Sequence, residues 1–224
     1  MPSNRCPVLI VAPHPDDETL GCGGTFAKRV LEGCPVSVVV ITDGRHLFSR
    51  SRWRIEKNPT PEETAAMRRE ETRRAVDILG GDGKSVKFLD VEDGSLSGLV
   101  EPVSEMLSEI IRCSAPGEIY VTSEHERHAD HVAACAAVRA AMRKAGSRAR
   151  LLRYAVSPRS RSDFPPTGEA VLAVDITDRL ETKRRAINQF ACHLRIVAEG
   201  QTEPVFKSIA PWLQPREVFL ADAT

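Results

Sequence analysis

The sequence predicts an α/β fold: a mostly parallel sheet with helices on both faces, in a single domain spanning residues 1–224. Three observations carry this. Val8-Leu9-Ile10-Val11-Ala12 is a continuous apolar run with the length of a strand buried on both faces, as strands of parallel sheets are. Leu20 to Leu31 has helical spacing and Pro35 to Ile41 is a second apolar run, so the chain opens with a strand–helix–strand unit. Its strands are expected to run parallel with a right-handed crossover. The same alternation of short strands and amphipathic helices then continues along the chain.

The later elements follow from local signals. Thr60-Pro61-Glu62-Glu63 opens a helix with threonine at the N-cap, proline in the first turn and acids at the positive end of the dipole. That helix runs to Leu79, ahead of Gly80-Gly81. Val86 to Leu89 is a third strand, Glu101 to Arg112 a helix, Glu118 to Thr122 a fourth strand and Val132 to Lys144 an alanine-rich helix. Arg150 to Val156 and Ala170 to Asp175 are expected as strands, Thr177 to about Ala191 as one helix, and Glu217 to Leu220 as the last strand. Arg45 to Thr60 is irregular, basic and aromatic, and is predicted to be a loop over the carboxyl ends of the strands.

Composition narrows the function. The 224 residues are 42% hydrophobic and 28% charged, which suits a globular domain with a sizeable core. Thirty-one basic residues cancel 31 acidic ones, so net charge gives no basis for binding nucleic acid or an anionic membrane. No apolar run approaches the ~20 residues of a membrane span. Met1 to Arg5 leads straight into a strand without a signal peptide, and the expected location is cytoplasmic. Six scattered cysteines, with no Cys-x-x-Cys pair, are expected to be reduced and mostly buried.

Two stretches carry the chemistry. The first strand ends in His14-Pro15-Asp16-Asp17-Glu18, an imidazole and three acids at the carboxyl end of a strand, where open α/β sheets bind ligands. A neutral imidazole and a carboxylate suit a divalent metal, and a further carboxylate outside the ligand set suits a general base. Asp17 and Glu18 also fit the ordinary role of acids at a helix N-terminus. The fourth strand leads into His125-Glu126-Arg127-His128-Ala129-Asp130-His131. His128 and His131 stand three apart at a helix start and project to one side, with Asp130 placed to cap the helix or orient an imidazole. His14, Asp17 and one of these histidines would leave an open position, as catalytic metal sites do.

These two motifs together resemble the LmbE-like, or PIG-L, zinc-dependent N-deacetylases, whose fold is Rossmann-like. Thr42-Asp43-Gly44, Arg68-Arg69-Glu70-Glu71 and Asp93-Gly94 stand where that family has similar residues. The resemblance implies His14, Asp17 and His131 as Zn²⁺ ligands, Asp16 as the general base acting on the activated water, and His128, oriented by Asp130, as a cationic stabiliser of the oxyanion. The same donors also accept Fe²⁺ or Co²⁺. Glu18 is expected to cap the helix or support the site. Arg68, Asp93 and His193 stand at positions used around the sugar, His193 replacing a glutamine common in relatives; Glu126 replaces a tyrosine found in some. The implied substrate is a small amino sugar or glycoconjugate carrying an N-acetylglucosamine unit, with homo-oligomerisation left open. Two other readings stay in view: deacylation of a different N-acyl compound, and a Rossmann-like binding protein using Gly21-Cys22-Gly23-Gly24 as a phosphate loop.

Overall fold

The computed structural model describes residues 5–51, 53–157, 164–165, 168 and 170–222; Met1 to Asn4 and Arg52 fall outside them. Strands are β1 (Val8–Ala12), β2 (Val36–Thr42), β3 (Lys87–Val91), β4 (Glu118–Thr122), β5 (Arg150–Tyr154), β6 (Val171–Asp175) and β7 (Arg216–Ala221). Helices are α1 (Asp17–Leu31), α2 (Pro61–Ile78), α3 (Val100–Ser114), α4 (Ala129–Ala145), α5 (Leu180–Ile187) and the short α6 (Ala191–Leu194). The sheet order is β3-β2-β1-β4-β5-β7-β6. The first five strands pair in parallel, and β7 runs antiparallel to both β5 and β6. The expected α/β fold with a mostly parallel sheet is therefore present, and it forms one domain.

Strand alternation sends side chains to two cores. Val8, Ile10, Val38, Val40 and Tyr120 pack with Leu20 and Phe26 of α1, Val76 of α2 and Ile187 of α5. Leu9, Val11, Val39, Ile41, Ile119 and Val121 pack with Leu107 of α3 and Val138 of α4 on the opposite face. Burial on both faces is why β1 and the end of β2 are apolar without alternation. Among the described residues no helix is long and apolar enough to cross a membrane.

Four local differences from the sequence expectation matter. Helix α1 starts at Asp17 rather than Leu20, and α4 starts at Ala129 rather than Val132, so both metal-motif ends lie in first turns. The helix expected over 177–191 is broken: α5 ends at Ile187, Phe190 takes a non-helical conformation with its side chain in the core, and α6 restarts at Ala191. Finally, Gly21 to Gly24 is no phosphate loop but lies buried inside α1. A Cβ at Gly21 would sit 2.1 Å from the Tyr154 ring, and one at Gly24 would sit 2.4 Å from Ile176, so these glycines admit close packing.

At Cys22 (φ −136°, ψ 20°) α1 kinks, which frees backbone groups in its middle. A buried ion pair meets them. Lys183 of α5 donates to Leu20 O (2.9 Å) and pairs with Glu217 of β7 (2.6 Å), whose carboxylate accepts the Gly24 and Thr25 N–H groups (2.9 and 2.7 Å). The pair thus caps both sides of the kink and locks α1, which carries the first motif, to the C-terminal part of the sheet.

Candidate metal centre and active site

β1 and β4 are hydrogen-bonded neighbours, with β2 and β3 on one side and β5 on the other. The crevice outside their carboxyl ends is the switch point where open sheets take ligands. The two loops leaving these strands carry the two motifs.

In the first loop Asp16 is the N-cap of α1 with φ 127°, a conformation that costs a non-glycine residue roughly 1–3 kcal/mol. Neighbours hold it there. Glu18 folds back so that its carboxylate accepts the Asp16 N–H (3.1 Å). Arg68, buried on α2, donates to Pro15 O (2.7 Å), Gly44 O (3.0 Å) and Asp16 Oδ2 (3.2 Å). In the second loop His128 is the N-cap of α4, its Nδ1 accepting the Asp130 N–H (3.3 Å). His131 sits in the first turn, and its carbonyl accepts from the Thr122 hydroxyl (2.9 Å).

Across the crevice His14 Nδ1, Asp17 Oδ2 and His131 Nε2 form a near-equilateral triangle with sides of 3.2, 3.2 and 3.3 Å. A tetrahedral ion with donors roughly 2.0–2.1 Å away needs them about 3.3 Å apart, so the donor set and its spacing fit a divalent metal. His128 adds a ring nitrogen within 4.8 Å of those of His14 and His131. Asp93 and Asp130 also converge on His14, but on its other nitrogen: Nε2 lies 3.2 Å from Asp130 Oδ2 and 3.3 Å from Asp93 Oδ1. A ring N–H there leaves Nδ1 as the lone pair facing the triangle, the usual support of a metal-binding imidazole. Asp130 is itself fixed by the Gly94 and Leu96 N–H groups (2.7 and 3.2 Å).

Charge agrees with geometry. Asp16, Asp17, Glu18, Asp93, Glu126 and Asp130 are all buried around the triangle, with Arg68 the buried arginine among them. Burial lowers the His14 pKa, but Asp130, Asp17 and Asp93 outweigh it and hold it well above 6.5. Burial likewise lowers His131, and Asp17 overturns this to bring it to about 9. Burial raises Asp17, yet His131 and His14 hold its carboxyl well below the usual range. A site that draws protons this strongly onto its imidazoles offers the same field to a divalent cation. Burial pushes Asp16 up to about 8, with Arg68 opposing and the charges of Asp17 and Glu18 adding.

One expectation needs correction. Asp130 orients His14 rather than His128, because its carboxylate is turned toward the first loop. The His128 pKa is lowered from 6.5 by partial burial and by the charges that His14 and His131 carry when protonated. Arg68 and Asp93 line the cavity; Arg68 donates to Gly44 O and Pro15 O, and Asp93 turns its carboxylate to His14 and the His46 N–H (3.1 Å). His193 also reaches the site, with Nε2 3.1 Å from Asp16 Oδ2. Burial and the nearby Arg68 charge hold its imidazole well below 6.5, hence neutral.

The cavity over the triangle has a volume of about 410 Å³. The expected 45–60 loop supplies His46, Leu47, Arg50 and Ser51 to its wall, while Val156, Phe206 and Trp212 close it from the C-terminal side. Sequence reasoning missed these last three, which carry no motif. It marks Glu126 only as replacing a tyrosine; the carboxylate in fact stands 3.8 Å behind His131 Nδ1 and accepts the N–H groups of Val156 and Ser157 (3.0 Å to Ser157). The one available signal was an acid inside a histidine-rich stretch after a strand.

An open α/β sheet with a His₂-carboxylate cradle at its switch point defines a class of divalent-metal proteins. Residues 9–142, over half the chain, match the PIG-L family, GlcNAc-PI de-N-acetylase, and the chain belongs to that family. It is 33% identical over 127 residues to the diacetylchitobiose deacetylase of Thermococcus kodakarensis, a match covering 55% of this chain and 44% of that protein. It is 29% identical over 233 residues to the probable N-acetyl-α-D-glucosaminyl L-malate deacetylase 2 of Bacillus anthracis, covering 96% of this chain and 95% of the other. Among solved structures it is similar to the conserved protein TT1542 from Thermus thermophilus, at TM-score 0.66 and 28% identity over 84% of this chain and 80% of that one.

Proposed function

We propose that this protein is a zinc-dependent N-deacetylase that hydrolyses the acetamide of an N-acetylglucosamine-containing sugar or glycoconjugate. The observation that carries this reading is the 3.2–3.3 Å triangle of His14, Asp17 and His131 with the Asp16 carboxylate held beside it. The deacetylase relatives supply the substrate class.

A divalent cation held by His14, Asp17 and His131 would supply Lewis acidity, making a water acidic and drawing electron density from the acetyl carbonyl. Asp16 takes the proton as that water attacks the carbonyl carbon. Its burial raises its basicity toward the working pH, where a general base is most effective. His128, with Nδ1 accepting from the backbone, carries its proton on Nε2 and offers it as a donor to the developing oxyanion. The C–N bond then breaks, the proton held by Asp16 passes to the leaving nitrogen, and acetate and a free amine result. Asp130 and Asp93 keep the His14 ring turned throughout.

A second reading, an N-deacylase for a compound with a larger apolar part, draws on one observation: Leu20, Leu47, Val156, Phe206 and Trp212 give the cavity a continuous apolar side. A panel of N-acyl compounds with metal analysis tests both. Wild type is expected to carry about one metal per chain and to release amine from N-acetylglucosamine compounds. Asp16→Ala is expected to keep the metal and lose activity by roughly 10²–10⁴-fold. A wild type that takes up no zinc ends the hydrolase proposal; one that cleaves only larger N-acyl compounds replaces the first substrate with the second.

A further inference from the structure

The break between α5 and α6 turns the chain so that two consecutive side chains, Cys192 and His193, point at the back of the site. Both are buried. Cys192 Sγ lies 3.0 Å from His193 Nδ1, and His193 Nε2 lies 3.1 Å from Asp16 Oδ2. The ring is fixed on every other side. Phe206 stacks on it, with centroids 4.5 Å apart and planes 28° apart, and the Phe206 N–H donates to the His193 carbonyl (2.9 Å). Trp212 backs Phe206 at 4.6 Å, and its indole N–H is tied to Val156 O (2.8 Å). Glu71 of α2 accepts the Cys192 N–H (3.1 Å), which sets the start of α6.

This arrangement selects one tautomer. With Asp16 ionised, as its role as base requires, a ring nitrogen without a proton would set its lone pair against the carboxylate oxygen 3.1 Å away, so Nε2 carries the hydrogen. Nδ1 is then an acceptor and faces the Cys192 sulfur at 3.0 Å, a thiol that also meets the Glu71 carboxylate. Arg68 Nη2 reaches the same Asp16 oxygen at 3.2 Å. Arg68 thus donates to Oδ2 and His193 Nε2 stands against the same oxygen, whereas Oδ1 takes no hydrogen bond from any described residue and Asp16 lines the cavity.

We propose that His193 is a positioning residue for Asp16: its Nε2–H, set against Oδ2 beside the Arg68 guanidinium, holds that oxygen in place, so that Oδ1 is the oxygen presented for proton transfer. This inference rests on the deacetylase reading, in which Asp16 is the base. It gives the His193 position a role distinct from contact with the sugar.

Two measurements on the full, zinc-loaded chain test it. Long-range ¹H–¹⁵N correlation spectra of ¹⁵N-histidine-labelled protein, with His193 assigned by its absence in His193→Gln, are expected to show a neutral Nε2–H tautomer. A Nδ1–H tautomer or an imidazolium at neutral pH overturns the proposal, whatever the substrate proves to be. In kinetics, His193→Phe keeps the stacking but has no donor; kcat is expected to fall about 10–100-fold with KM within about threefold and metal content unchanged. His193→Gln restores an N–H donor and is expected to recover most of that loss. A His193→Phe variant with wild-type kcat, or with a changed KM alone, overturns the positioning role and makes His193 a substrate-wall residue. If wild type cleaves no N-acyl compound, the deacetylase reading falls, and the tautomer still decides the geometry around Asp16.

Discussion

The motif loops after β1 and β4 and the segment from Ala191 to Trp212 line the same cavity, yet they are built differently. In the loops the chemistry is local: His14, Asp16 and Asp17 lie within four residues, His128 and His131 within another four, and each group is shaped by a helix start. In the C-terminal segment nothing is local. His193, Phe206 and Trp212 are drawn together by ring stacking, by the approach of His193 to Asp16 and by the Trp212 hydrogen bond to Val156. The difference teaches that donor identity sits in short motifs, whereas donor aim and cavity shape come from distant packing.

The strongest challenge to this division is a ligand substitution. His131→Ala removes one corner of the triangle, and metal content and activity are expected to vanish together, the activity by at least ~10³-fold. Retention of stoichiometric metal would show that His128 can take its place. Next comes the frame that joins the two regions. Lys183→Met leaves the buried Glu217 carboxylate without its ion partner and is expected to cost roughly 3–5 kcal/mol in denaturant unfolding. The double variant Lys183→Met/Glu217→Met is expected to lose less, and an equal or larger loss would refute the pairing account.

Smaller effects sharpen the line between identity and aim. Asp130→Asn keeps every ligand but weakens the support behind His14, and metal affinity measured by competition with a chelator is expected to fall about 10–100-fold. Phe206→Ala should leave metal affinity alone and raise KM several-fold, since aromatic contacts carry about 0.5–1.5 kcal/mol. An effect on metal content would instead place Phe206 in the support of the ligands. The smallest effect concerns acid stability at the rim of the second loop. Burial raises Glu124, but Arg153 and then Arg139 outweigh it and lower its pKa to about 2. The stabilisation from this depressed carboxyl is present above the unfolded value near 4.5 and is lost as pH falls toward 2. Glu124→Gln should therefore narrow the stability gap to wild type as pH drops from 5 to 2, read by circular dichroism during thermal melts. A gap that is constant across that range would remove the ion-pair account.

Much of this was legible in the chain. β1, β2 and β4 announced themselves because strands buried on both faces must be apolar throughout, and α2 because Thr60, Pro61 and the acids after them mark a helix start. The two motifs stood out because metal donors cluster where strands end. Other features were not legible. The helix expected over 177–191 kept its periodicity on paper, but burial of Phe190 breaks it, and that break is what aims His193. Asp130 was expected to serve the nearest imidazole in sequence, yet the pairing of β1 beside β4 brings His14 closer to its carboxylate.

By itself, then, the sequence determined the fold class, the strands of the sheet's centre and the types of donor at the site, since these depend on periodicity and on residues a few positions apart. Only the tertiary structure decided that β1 and β4 are neighbours, that His14 is turned by Asp130 and Asp93, and that a C-terminal histidine stands against Asp16. Those outcomes depend on contacts between residues more than 75 positions apart, which no local pattern encodes, because they are fixed by the packing of whole elements against one another.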